Sequence, residues 1–150
     1  MREIKYTIRE LKEEDLKPER GFLETLANLS EVEKVSENKA KKIFKELKKE
    51  KSYIFVAVTK NKNIIGTIKL MVEQKFYHQG AKAGHIEDVI TRKGFENMGV
   101  AGSLIKKALA KAKEQKCYKV ILDCRDELIP FYKKFNFYKF ENCLRINLKK

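Results

Sequence analysis

The stretch HIEDVITRKGFENMGVAGSLIKKAL, His85 to Leu109, reads as strand, loop and helix in succession. HIEDVIT has the β-branched, apolar character of a central strand. From Gly99 to Gln115, Leu104, Ala108, Leu109 and Ala112 recur at helical spacing. The loop between them carries Gly99, Ala101 and Gly102. In such a crossover the first N–H groups of the helix lack internal acceptors and gather at the positive end of its dipole. A phosphate can satisfy them, and small side chains let it approach the backbone. Close packing of helix on strand would call for the same small residues, so the loop alone leaves both readings open. Its spacing is neither GxxxxGK[ST] nor GxGxxG. It also opens on a carboxylate, Glu96, which is the wrong charge for a phosphate.

Working outward, KYTIRE alternates as a first strand. A helix is expected after Pro18, with Phe22, Leu23, Leu26 and Leu29 on one face. Ser36 reads as the N-cap of a second helix carrying Ala40, Ile43, Phe44 and Leu47. SYIFVAVT, a turn at Asn61–Asn63 and IIGTIKLMVEQKF form a hairpin. Beyond the central unit, YKVILDC is a buried strand and IPFYKKF a short helix, with Pro130 in its first turn. FYKF and CLRINL are expected to close the sheet as a final hairpin. The order is β–α–α–β–β–β–α–β–α–β–β, an α/β fold of the α+β type with one mixed sheet. Three strands follow one another without crossovers, which excludes a doubly wound nucleotide fold.

A chain of 150 residues, 43% hydrophobic and free of repeats or linkers, is expected to form one domain over 1–150. Lys and Arg number 34 against 21 Asp and Glu, a formal charge of +13. That excess favours anionic partners, though most lysines are explained as solvated helix faces. No apolar run approaches the ~20 residues that span a bilayer, and MREIKYTIRE lacks a signal-peptide pattern. Cys117, Cys124 and Cys143 are odd in number and lack metal spacing. They are expected to be reduced, mostly buried thiols in a cytoplasmic protein. His78 and His85 form no HExxH pattern, so no metal is expected.

The central unit together with CYKVILDCRDELIPFYKKFNF resembles the GNAT acyltransferase superfamily. There a strand precedes a pyrophosphate loop of pattern Gln/Arg-x-x-Gly-x-Gly/Ala, and Glu96-Asn97-Met98-Gly99-Val100-Ala101 fits that register. IRELKEEDL, EQKFYH, GHIEDV, CYKVILDC and FYKKFNF extend the resemblance, in order, to the glucosamine-6-phosphate N-acetyltransferases. Three positions depart from the pattern. Glu96 replaces Gln or Arg, Leu128 stands where an Asn often contacts the coenzyme, and Asn136 stands for a Gly. Asn tolerates left-handed backbone. Glu96 is expected to turn outward toward Arg92 or Lys93.

The resemblance implies acetyl transfer from acetyl-CoA to D-glucosamine 6-phosphate by direct attack in a ternary complex, in the service of UDP-N-acetylglucosamine synthesis. It implies a homodimer whose two subunits build the substrate pocket. Glu96, Asn97, Met98, Gly99, Val100, Ala101 and Gly102 would form the pyrophosphate loop. Val89, Ile90 and Thr91 would pair with the pantetheine arm as an added strand. Tyr132 would stabilise the departing thiolate. Ser30, Lys75, His78, Glu87, Asp88, Tyr118, Lys119 and Asp123 would meet the sugar phosphate, with Arg145 a looser match.

The residues themselves bear on these roles. Glu87 and Asp88 are neighbours in a strand, so they should point to opposite faces; Glu87 is the preferred acceptor of the amine proton. Asp123 stands in an apolar strand, where a carboxylate needs a partner if buried. Lys75, His78, Lys119 and Arg145 suit a phosphate better than a polyamine. A GNAT enzyme for another amine, whether a polyamine, a protein terminus or a lysine, is the alternative. A basic nucleic-acid-binding module ranks below both, because the aromatics lie in apolar runs rather than along a basic stripe.

Overall fold

The longest ladder of the computed structural model joins β3 (Ile64–Gln74) to β4 (Lys82–Thr91), and the rest of the chain is arranged about it. Residues 3–29 and 35–149 are described. Around this pair stand β1 (Tyr6–Glu10), β2 (Ser52–Thr59) and β5 (Cys117–Leu122). The helices are α1 (Phe22–Leu26), α2 (Glu37–Lys49), the single turn α3 (Tyr77–Gly80), α4 (Val100–Glu114) and α5 (Ile129–Lys133). Sheet order is β1-β2-β3-β4-β5. The first four strands are antiparallel, and β5 joins β4 in parallel after the crossover through α4.

Two clusters lie on the two faces of the sheet. Val100, Leu104, Ile105, Ala108 and Ala112 of α4 pack on Phe55, Ala57, Ile65, Ile68 and Leu70. Gly66 permits that approach, since a Cβ there would stand 2.5 Å from Val100 Cγ1. Ala40 and Phe44 of α2 cover Val56, Val58 and Ile64 from the opposite side, with Leu11, Leu16 and Phe22. β2 therefore buries both faces and reads as an unbroken apolar run. Ser36 caps α2 as expected, its Oγ accepting from Lys39 N at 3.2 Å.

Three expectations need correction. The helix after Pro18 is shorter than its apolar spacing suggested: it ends at Leu26, and Leu29 is exposed. Ile43 is also exposed, so α2 buries a narrower stripe. The larger difference is the closing hairpin. Residues 137–149 form no strand, and Leu144, Ile146 and Leu148 are 92%, 81% and 89% exposed. A strand exists through its ladder, and alternation records a capacity for pairing without naming the partner.

The N-terminal turns are tied by one buried carboxylate. Asp15 accepts from Arg9 at 2.6 and 2.9 Å, from Arg20 at 2.8 Å and from Lys12 N at 2.9 Å. Burial alone would raise its pKa, but these donors outweigh burial and carry it down to about 2. A carboxyl lowered on folding adds stability above its unfolded pKa, and that stability disappears as pH falls through the folded value. Urea denaturation should therefore give a constant contribution above pH ~4 and lose about 2 kcal/mol between pH ~4 and pH ~2. Asp15→Asn should abolish that acid step and lower stability at neutral pH.

Candidate active site

β4 and β5 part company midway. Their ladder pairs Lys82 with Cys117, Ala83 with Lys119, Gly84 with Val120, His85 with Ile121 and Ile86 with Leu122, where β5 ends. β4 continues to Thr91 with only β3 alongside, so Val89, Ile90 and Thr91 lie on an edge without a strand partner among the described residues. That edge can take an extended ligand as an added strand.

The parting coincides with a bulge. Lys69 pairs with Glu87 and Thr67 with Ile90, so Asp88 and Val89 together oppose Ile68 alone. Asp88 carries the extra turn with φ 53°. Plain alternation of Glu87 and Asp88 therefore gives way. Asp88 leaves the ladder and is exposed, 4.0 Å from Lys69 Nζ, while Glu87 stays half-buried.

Asp123 follows the last residue of β5 and is exposed, so it needs no buried partner. Asp123 first, then partial desolvation and the charge of Glu87, raise the pKa of the Cys143 thiol. Asp123 follows Leu122, whose ladder partner is Ile86, so it stands beside Glu87 where the strands part. Cys124 and Cys143 are both exposed and only Cys117 is partly covered, contrary to the expectation of buried thiols.

The cations gather at the opposite end of the same strands. Beyond β3, Lys75 N donates to Ala81 O at 3.0 Å, which closes the β3–β4 turn. His78 packs at a tilt against Tyr118 with ring centroids 4.4 Å apart, and Lys119 Nζ stands 5.4 Å from the same ring. His78 and Gln79 hold this turn with φ of 51° and 60°, a left-handed conformation that costs each residue about 1 kcal/mol. Lys75 is not free: Glu73 accepts from it at 2.7 Å and pairs with His85 at 2.7 Å. Arg145 lies in the exposed terminal segment bonded to Asn147, and no contact joins it to the other cations. Ser30 lies outside the described residues.

At the other end, the loop before α4 is shaped by left-handed turns at Asn97 and Gly99, with φ of 61° and 76°. Gly99 occupies the N-cap and no side chain caps α4, which leaves the first N–H groups of Val100, Ala101 and Gly102 for an outside acceptor. Gly102 answers to packing instead, since a Cβ there would lie 3.2 Å from Phe135 Cζ. Glu96 is exposed but does not reach Arg92 or Lys93. Its carboxylate accepts from Gly94 N at 2.7 Å, while Arg92 pairs with Glu24 at 2.8 Å. The loop is braced by a residue the sequence reading missed: Tyr6 Oη meets Ser103 Oγ at 3.0 Å and donates to Met98 O at 3.5 Å.

Tyr132 is buried on α5, edge-on to Phe131 and Phe137. Burial first, then Cys124 beside it, raise its pKa, so the phenol keeps its proton at neutral pH. Asn136 adopts φ 66°, the left-handed backbone its place in the pattern requires. Leu128 is 43% exposed and offers no polar contact. A cavity of about 670 Å³ lies elsewhere, between Asn28, Asn61, Asn63, Arg92 and Lys93. Glu87, Asp123, Lys119 and the edge at Val89, Ile90 and Thr91 lie instead at the open strand edge and on the exposed sheet face, while Tyr132 is buried and Arg145 stands apart.

Residues 10–137 match the model of the acetyltransferase (GNAT) family. A Drosophila melanogaster relative is 32% identical over 132 residues, 87% of this chain and 59% of its own. The chain thus spans less than two thirds of that relative's length. The Candida albicans glucosamine 6-phosphate N-acetyltransferase is 34% identical over 131 residues, 86% of this chain and 87% of its own. The crystal structure of the Arabidopsis thaliana glucosamine-6-phosphate N-acetyltransferase superposes with a TM-score of 0.91 at 28% identity, over 97% of this chain and 99% of the other.

Because Glu96 is folded back onto Gly94, its charge should bear only weakly on a phosphate at α4. Glu96→Gln should change the calorimetric Kd for coenzyme A less than about threefold, under 1 kcal/mol. Tightening beyond tenfold would mean that the carboxylate faces the phosphates.

Proposed function

We propose, from the premise that this chain belongs to the acetyltransferase (GNAT) family, that it transfers the acetyl group of acetyl-CoA to the amine of D-glucosamine 6-phosphate. One arrangement carries the reading: a single open sheet face with cations at one end and carboxylates beside an unpaired strand edge at the other. Lys75, His78 and Lys119, with Tyr118, suit the phosphate. Glu87 and Asp123 suit the amine. The similarity to named glucosamine 6-phosphate N-acetyltransferases supports the same choice. Residues 1–150 act as one GNAT domain, and the product supplies UDP-N-acetylglucosamine synthesis.

The residues fit the cosubstrate. Free N–H groups of Val100, Ala101 and Gly102 would receive the pyrophosphate. The β4 edge at Val89, Ile90 and Thr91 would hold the pantetheine, bringing the thioester to the bulge at Asp88. Glu87 assists loss of one proton from the substrate ammonium. The neutral amine then attacks the thioester carbon, C–N forms, C–S breaks and the electron pair leaves on sulfur. Backbone N–H groups of the opened edge stabilise the oxyanion. The protonated phenol of Tyr132 stands to hydrogen-bond the departing thiolate. Attack is direct: partial desolvation, and then the neighbouring acids, raise the pKa of the exposed Cys124 thiol, which disfavours a thiolate nucleophile.

The active form is a homodimer. Leu144, Ile146 and Leu148 alternate along an exposed terminal segment, and Phe76 is fully exposed at the β3–β4 turn. A second copy of the chain is the partner that would cover them. The exposed free thiols support a reducing, cytoplasmic setting.

Thiol release from acetyl-CoA, measured with glucosamine 6-phosphate, glucosamine, spermidine and a lysine peptide in parallel, tests the substrate. Turnover should need the phosphorylated sugar, and Tyr132→Phe should lower kcat by about tenfold or more with little change in KM. Preference for another amine would overturn the assignment. Light scattering should give twice the 17.6 kDa chain mass, and Leu144→Asp with Ile146→Asp should shift it toward one chain.

A further inference from the structure

His85 and Glu73 have no part in the scheme above, yet they stand on the same face as Glu87. His85 lies two positions before Glu87 on β4, flanked across the ladders by Met71 on β3 and Ile121 on β5. Residues two apart on a strand present their side chains next to one another on the same face. Glu73 is the diagonal neighbour of His85, and its Oε2 meets Nε2 at 2.7 Å. An ionised carboxylate only accepts hydrogen bonds, so Nε2 carries the proton and Nδ1 keeps its lone pair. Lys75 at 2.7 Å from Glu73, and then His85 itself, hold that carboxyl below its ordinary range.

We propose that Glu73 and His85 form the proton-accepting pair behind Glu87, with Nδ1 of His85 taking the proton shed by the substrate ammonium. The inference rests on the amine-acetylating function proposed above. The reaction releases one net proton: R–NH3+ and acetyl-CoA give the amide, CoA-SH and H+. One ammonium proton reaches Nδ1 through Glu87 and a bridging water. A second leaves the nitrogen as the amide forms and goes to the departing thiolate. The resulting imidazolium is held by Glu73 and returns its proton to solvent across an open face.

Without that pair the net proton of acetylation has no acceptor beyond Glu87. An imidazole titrates near pH 6.5 and can be reset each turnover at neutral pH. The charged groups facing His85 are Glu73 and Lys69 from β3, Lys75 just beyond it, Glu87 from its own strand, and Lys119 and Asp123 on either side of Ile121. Glu73 is the one bonded to it. Its negative charge holds the imidazolium once it forms.

The test is the pH dependence of kcat, which reports the bound complex and so excludes titration of the free amine. It is taken on whichever of the four amines the wild-type chain acetylates. Wild type should lose activity as pH falls through the imidazole range. His85→Gln should lower kcat on the order of 100-fold at neutral pH and abolish that limb. Glu73→Gln should lower kcat on the order of 10-fold with little change in KM. NMR of the His85 ring nitrogens should show the Nε2–H tautomer in wild type and its loss of preference in Glu73→Gln, without turnover. A purely structural pair would lower stability in both variants but leave the limb where it was, and that result overturns the proposal. Turnover of none of the amines would instead overturn the underlying function.

Discussion

Parallel strands β4 and β5 cannot stay paired once the bulge at Asp88 turns β4 aside, and the rest of the site depends on that divergence. The ladder stops at Ile86 and Leu122. Beyond it, β4 is held by β3 alone, and the chain runs from its unpaired end into the loop that leads to α4. Buried unpaired backbone groups are costly, so an open edge at the centre of a mixed sheet is a place for a ligand to complete the ladder. The same bulge takes Asp88 out of register and leaves Glu87 beside the opening.

The sheet also sets distances. On the exposed face, successive residues of β3, β4 and β5 are rungs about 7 Å apart. Lys75, His78 and Lys119 cluster at the turn end, His85 and Ile121 lie between, and Glu87 and Asp123 stand at the mouth of the parted strands. A phosphorylated amine fits that polarity, with phosphate at one end and nitrogen at the other. The rigidity of the face comes from the packing of α4 through Gly66 on the opposite side.

Much of this was legible in the sequence. The strand, loop and helix from His85 to Leu109 fixed the crossover. Ser36 announced its helix, and Asn136 its left-handed turn. What stayed hidden depended on register. Hairpin pairing decides that Glu73 reaches His85, and a bulge decides that Asp88 leaves the ladder; neither changes composition or periodicity. Tyr6 bracing the loop is a contact across ninety-odd residues that no local pattern encodes. Gly102 serves packing against Phe135 in the turn after α5, rather than the helix-on-strand contact that the loop's small residues had left open.

The C-terminal segment shows a different limit. CLRINL alternates as well as β1 does, yet it makes no strand in the single chain. Periodicity reports a face that is suited to pairing. Whether the partner is the same chain or a second copy is decided by tertiary and quaternary geometry.

Amide hydrogen exchange with and without acetyl-CoA tests the parted strands most directly. The account predicts slowed exchange from Glu87 to Thr91 and at the start of α4, with β1 and β2 unchanged. Protection confined to the cavity near Asn61 and Arg92, with the β4 edge exchanging as before, would contradict it.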